Sequence, residues 1–159
     1  MSLSSSLKDR DVLSVKTALC PCLGISFYID YLLFGVNFLG YNLHSLFLLV
    51  AVGFLAYLFL QQVGLHRWPA LTSGITLMVS PAMVAVAGHY SIRHYLFGFA
   101  FALLSLMMLL KWCTTSRSGW FFAAVLCYFL ALCSKEIYAP LLVIAAFSYG
   151  LHPQISRKP

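Results

Sequence analysis

Residues Tyr41 to Leu60 read YNLHSLFLLVAVGFLAYLFL and contain no charged side chain. An α-helix rises ~1.5 Å per residue and the hydrocarbon layer of a bilayer is ~30 Å thick, so about 20 such residues span it. A core helix of a small soluble domain keeps a polar face for water, and this stretch has none. Three further apolar blocks follow, and the sequence predicts an all-α, polytopic transmembrane helix bundle.

Composition agrees with lipid as the solvent. The 159 residues are 62% hydrophobic and only 9% charged, against about 25% charged in a soluble domain. The formal charge of +6 does not indicate nucleic acid, because basic residues spread over membrane-flanking loops produce the same sum. The partners expected from composition are therefore the lipid bilayer and no nucleic acid. No Gly-rich phosphate loop and no His-x-x-x-His zinc helix occurs, so neither cofactor nor metal is expected. Cys20-Pro21-Cys22 lacks the second half of a zinc site, and Cys127 and Cys133 read as packing residues in apolar helix. The odd count of five cysteines gives no disulfide framework.

The pattern of apolar runs sets the expected boundaries. Residues 1–18 form a polar tail, without the apolar core and small-residue cleavage site of a signal peptide. The membrane domain covers 19–151. Residues 19–39 are aromatic but interrupted by Pro21, Gly24, Asp30 and Gly35. A mid-span Asp costs ~2.5–3.5 kcal/mol, so this segment is read as an interfacial helix, with a re-entrant or spanning helix as alternatives. Helices follow at about 40–61, 69–88, 95–112, 119–133 and 137–151. Pro81 is expected to kink or shorten the second of these. Ser134-Lys135-Glu136 forms a turn at the membrane surface, and 152–159 is a polar tail.

Charge does not orient this bundle. Arg67, Lys111, Arg117, Arg157 and Lys158 fall on one side, and Lys8, Arg10, Lys16, Arg93 and Lys135 on the other. Equal numbers leave the positive-inside rule silent. All four acids, Asp9, Asp11, Asp30 and Glu136, share the side of Arg93 and Lys135. Any chemical site is expected there.

Three short segments carry a family resemblance. FYIDYLLFGVNFLGY (27–41), through Asp30-Tyr31, Phe34-Gly35, Asn37 and Gly40-Tyr41, resembles the segment before the second transmembrane helix of type-C glycosyltransferases. These are polytopic enzymes of the protein O-mannosyltransferase and lipid-linked sugar transferase kind. Ser80-Pro81, then Tyr90-Ser91 and Arg93, resembles the family's next extracytoplasmic turn. LALCSKE (130–136), followed by an apolar run containing Pro140, resembles its L-x-L-x-S-K-E turn. Order and spacing agree over roughly residues 20–150.

The resemblance implies transfer of a sugar from a polyprenyl-phosphate donor on the extracytoplasmic face. Arg93 and Lys135 are then the candidate donor-phosphate ligands, with Asp30 and Glu136 supporting them. The resemblance places the catalytic carboxylate in the first extracytoplasmic loop, after a first transmembrane helix. This sequence supplies neither a preceding helix nor a matching acidic motif, although Asp9 and Asp11 stand near the right region. Ser80, Ala85 and His94 occupy places where many relatives carry His, Glu and Asp. The catalytic residue is therefore unassigned. The chain is expected to be a fragment, without the first helix and the C-terminal half, and inactive in this short form if no base is supplied.

Each residue also has a plainer reading. Lys135 suits a snorkelling turn lysine, Arg93 an interfacial arginine beside Tyr90 and Tyr95, and Asp30 a helix cap or arginine partner. His44 reads as a packing histidine, His89 and His94 as poor metal ligands, and Met107-Met108 as core or lipid contact. A non-enzymatic multi-pass membrane protein, an assembly subunit or decayed remnant, is the alternative function. A small transporter is the third, for which only the surroundings of Asp30 speak. The location implied is an integral membrane one, endoplasmic reticulum in a eukaryote or plasma membrane in a bacterium.

Overall fold

The computed structural model describes residues 21–89, 92–141 and 143, with side chains from Gly24 onward. Helices α1 (Pro21–Phe34), α2 (Phe38–Gln62), α3 (Arg67–Val79), α4 (Pro81–Gly88), α5 (His94–Thr115) and α6 (Ser118–Ser134) precede a 3-10 turn, Glu136–Tyr138. No strand occurs among the described residues. The chain is all-α, as its uncharged runs predict. The polar tails, residues 1–18 and 152–159, lie outside the described residues, as does most of the helix expected at 137–151.

Local chemistry sets the breaks. The segment expected as one interfacial helix, 19–39, divides at Gly35, whose φ of 58° is a left-handed conformation that ends α1. Asn37 then caps α2, its side chain accepting from the Leu39 N–H at 3.1 Å. The Tyr41 hydroxyl closes the turn by donating to the Gly35 carbonyl at 3.0 Å. The helix expected at 69–88 is two helices. Pro81 cannot donate a backbone hydrogen bond and forces Ser80 into extended backbone (φ −60°, ψ 138°), so α3 and α4 meet at a 51° bend. Helices α2, α5 and α6 run slightly beyond the expected ends.

Two helices, α2 and α5, are long and apolar enough to cross a membrane, and a third span results if bent α3–α4 counts as one. This count covers the described residues, and the fifth expected helix, 137–151, lies mostly outside them. With 17 residues, α6 is shorter than a usual span. Large apolar side chains stand exposed on α2 (Leu43, Phe47, Phe54) and on α6 (Phe122, Leu126, Phe129). A contiguous apolar exterior on this scale is what a lipid-facing surface carries and what a water-facing one avoids.

The core is small and joins α2 to α5. Leu49, Val52 and Leu96 are buried, with Leu77, Met83 and Val86 packed against them from α3 and α4. Small residues allow close helix approach: a Cβ on Gly74 of α3 would lie 2.9 Å from the Gly53 carbonyl oxygen of α2. Polar groups fasten helix to helix. Gln62 Nε2 donates to the Met107 carbonyl at 2.9 Å, and Ser105 Oγ donates to the Ala124 carbonyl at 2.9 Å. Ser105→Ala is expected to lower stability by about 0.6 kcal/mol, the typical size of an interhelical hydrogen bond in lipid, measurable by unfolding in micelles.

These contacts fix directions. His44 meets Phe97 near the starts of α2 and α5, and Gln62 meets Met107 further along both, so the two run parallel. A two-residue connection, Ser116-Arg117, returns α6 antiparallel to α5. Ser116 takes the left-handed conformation, φ 54°, at this reversal. The N-termini of α2 and α5 and the C-terminus of α6 therefore share one end of the bundle.

Candidate functional site

That shared end gathers the charges. Asp30, in the last turn and a half of α1, is fully buried. Its Oδ1 lies 2.5 Å from Nδ1 of His44 on α2, and its Oδ2 lies 2.6 Å from Nη2 of Arg93, the N-cap of α5. Arg93 is itself fully buried. One carboxylate thus ties three helices together. The Gly35 turn produces this arrangement, because folding α1 back on α2 sets Asp30 opposite the second turn of α2.

The surroundings of the cluster are aromatic. The Arg93 guanidinium sits 5.1 Å from the Phe27 ring centre, and His44 meets Phe97 edge-on at 6.0 Å. Burial of a carboxylate in such a setting requires a countercharge, which the guanidinium provides. The Nη2–Oδ2 contact is close without hydrogen-bond alignment, and Nε and Nη1 of Arg93 have no hydrogen-bond partner among the described residues. An apolar cleft of about 380 Å³, lined by Phe27, Tyr31, Val36, Phe38 and Tyr41, opens beside it at the α1–α2 turn.

Lys135 caps α6 beside the first turn of α5. Its Nζ lies 5.8 Å from the Tyr95 ring centre and 3.7 Å from Glu136 Oε1, with the lysine side chain 21% exposed and that of Glu136 79% exposed. Tyr138 buttresses the turn: its hydroxyl donates to the Tyr95 carbonyl at 2.7 Å, and its ring occupies the space a Cβ on Gly98 would need. Burial, and secondarily the neighbouring Tyr95, pushes the Tyr138 phenol up to about 12, so it remains a donor at neutral pH. A cation at a helix C-terminus is held favourably by the helix dipole.

Of the four residues expected to form the site, Asp30 and Arg93 touch, Lys135 and Glu136 touch, and the two pairs flank the first turns of α5. Arg93 is not the interfacial arginine its aromatic neighbours suggest, since Asp30 holds it in the interior. His44 is the residue the sequence undervalues. Its partner stands fourteen positions earlier on another helix, beyond the reach of helical periodicity. The available signal is a lone imidazole on an apolar helix, near an equally isolated Asp. His89 Nδ1 bonds its own helix at Ala85 O, 3.0 Å away. Among the described residues no group of three or more His, Cys, Asp or Glu gathers as a metal site would require. Arg67, Lys111 and Arg117 occupy the other end, where Lys111 covers the Trp120 ring at 4.8 Å.

No family model matches this chain, and no curated protein and no solved structure is significantly similar to it.

Proposed function

We propose that the chain is a multi-pass integral membrane protein supplying the donor-phosphate side of a polyprenyl-phosphate-dependent glycosyltransferase, with α1 lying at the membrane interface. The observation that carries this reading is Lys135: a partly exposed ammonium at the end of α6, oriented by Glu136 and Tyr95. It stands at the end of the bundle that also holds Asp30 and Arg93. A departing polyprenyl phosphate needs positive charge at headgroup depth, and a fixed cation stabilises it as the bond to the sugar breaks. Exposed Tyr28 and Tyr31 on α1 suit headgroup depth on the same side.

The test is transfer of sugar from polyprenyl-phosphate mannose to a serine-rich peptide by the chain reconstituted in lipid vesicles. Lys135→Ala is expected to lower turnover about 100-fold, the usual effect of removing one charge-stabilising donor. Thiol labelling of Cys113 must place that end of the bundle on the cytoplasmic side. Labelling from the extracytoplasmic side defeats the proposal.

A second reading, a non-enzymatic membrane protein, is favoured by one observation. Arg93 is fully buried and neutralised by Asp30, so one of the two nominated phosphate ligands already serves as a helix clasp. Turnover by the wild type, lost in Lys135→Ala, decides against it.

A further inference from the structure

The transferase reading needs a group to take the proton from the acceptor hydroxyl, and two candidates stand among the described residues of the cluster. Asp30 is not that group, because it is fully buried and both of its oxygens are engaged, one by His44 and one by Arg93. His44 is differently placed. Nδ1 lies 2.5 Å from Asp30 Oδ1, and against an ionised carboxylate it is the donor, so in the neutral ring Nε2 is the acceptor on the far side. Nε2 has no hydrogen-bond partner among the described residues, and the side chain is 26% exposed while its carboxylate partner is 0% exposed. Phe97 packs edge-on against the imidazole at 6.0 Å and limits its rotation. A buried carboxylate fixing the tautomer and orientation of an imidazole, with the other nitrogen left open, is the arrangement by which a histidine acts as a general base.

Depth also suits the role. Helix α2 has 25 residues and is about 37 Å long, longer than the ~30 Å hydrocarbon layer, and His44 stands ~9 Å from its first residue. That sets His44 in the second turn of α2, toward the end of the bundle that holds Arg93 and Lys135.

We propose that His44 is the general base for the acceptor hydroxyl and that Asp30 is its positioning residue, an inference that rests on the transferase reading above. The acceptor oxygen forms a bond to the anomeric carbon while the bond from that carbon to the phosphate oxygen breaks. The hydroxyl proton passes to His44 Nε2, and the bonding electron pair leaves with the polyprenyl phosphate. Arg93 holds the Asp30 carboxylate in place without touching substrate.

The experiment uses the full chain in vesicles with polyprenyl-phosphate mannose and a serine-rich peptide. His44→Gln is expected to lower kcat about 100-fold, within the range for loss of a general base. KM should change less than about threefold. His44→Ala should regain activity when imidazole is added to the buffer, a recovery that a folding defect would not show. Asp30→Glu, which preserves a carboxylate, should retain more activity than Asp30→Asn. Wild-type turnover together with a His44→Gln rate within about threefold of it overturns this assignment and leaves the transferase reading intact. Absence of wild-type turnover overturns the transferase reading, and the base assignment falls with it.

Discussion

Arg93→Leu is expected to lower the stability of the folded chain by about 3–5 kcal/mol, the usual result of removing one partner of a buried ion pair. The magnitude follows from what is left behind rather than from the attraction lost. Asp30 is fully buried between α1, α2 and α5, and an aliphatic side chain in place of the guanidinium would leave its Oδ2 facing apolar atoms and the Phe27 ring. His44 then remains as the sole polar partner among the described residues. Replacing both members, Asp30→Leu with Arg93→Leu, should recover most of the loss, because apolar side chains need no countercharge. Denaturant titration of the four proteins in one detergent gives the cycle. If Arg93→Leu unfolds within about 0.5 kcal/mol of the wild type, a figure typical of neutral surface changes, the clasp does not hold the helices.

Gly74→Leu should separate α3 from α2 and cost about 3 kcal/mol, the upper end of the range for overpacking. A Cβ at this position would meet the backbone oxygen of Gly53 at 2.9 Å and the Cβ of Tyr57 at 3.4 Å. Neither atom belongs to the far end of a flexible chain, so relief requires the helices to move apart. Their separation would strip Leu77 and Met83 from Leu49 and Val52. Gly53→Ala is the instructive contrast, since the added methyl meets mainly the Met78 side chain, which can rotate away. Its cost should be clearly smaller. Gly119→Ala, in the first turn of α6 with nothing within 4 Å of the new methyl, should be neutral or slightly stabilising. Equal melting of Gly74→Leu and Gly119→Ala would show that α2 and α3 are not in close contact.

The elements most legible in the sequence are those governed by local chemistry. The uncharged run within Phe38–Gln62 specifies a long apolar helix because lipid accepts no unsatisfied backbone and few charges. Pro81 specifies a break, though composition alone does not say whether the outcome is a kink or two helices, and the extended backbone of Ser80 makes it two. Gly35 is visible as an interruption, yet its role as the reversal that lays α1 on α2 depends on a positive φ that no pattern of hydrophobicity encodes. The candidate site follows the same division. Asp30, Arg93 and Lys135 attract attention because each is a charge among apolar residues. Which of them meet is a tertiary fact. Asp30 selects Arg93 and His44 because the hairpin turn and the parallel packing of α2 and α5 bring three distant positions to one level. Read along the chain, Arg93 suits a phosphate and His44 suits packing, and the contacts of Asp30 change the weight of both.

The length of α6 bears on where this chain resides. Seventeen residues rise about 25 Å, some 5 Å short of a ~30 Å hydrocarbon layer. A short helix of this kind, if it spans, pulls the two leaflets toward each other or drags its flanking Arg117 and Lys135 inward. The mismatch penalty is least in a thin bilayer, such as that of the endoplasmic reticulum, and grows in sterol-rich membranes. The dimple around Lys135 would also shorten the path between a lipid-borne headgroup and the aqueous phase, and adding one helical turn to α6 should relocate the protein toward thicker membranes.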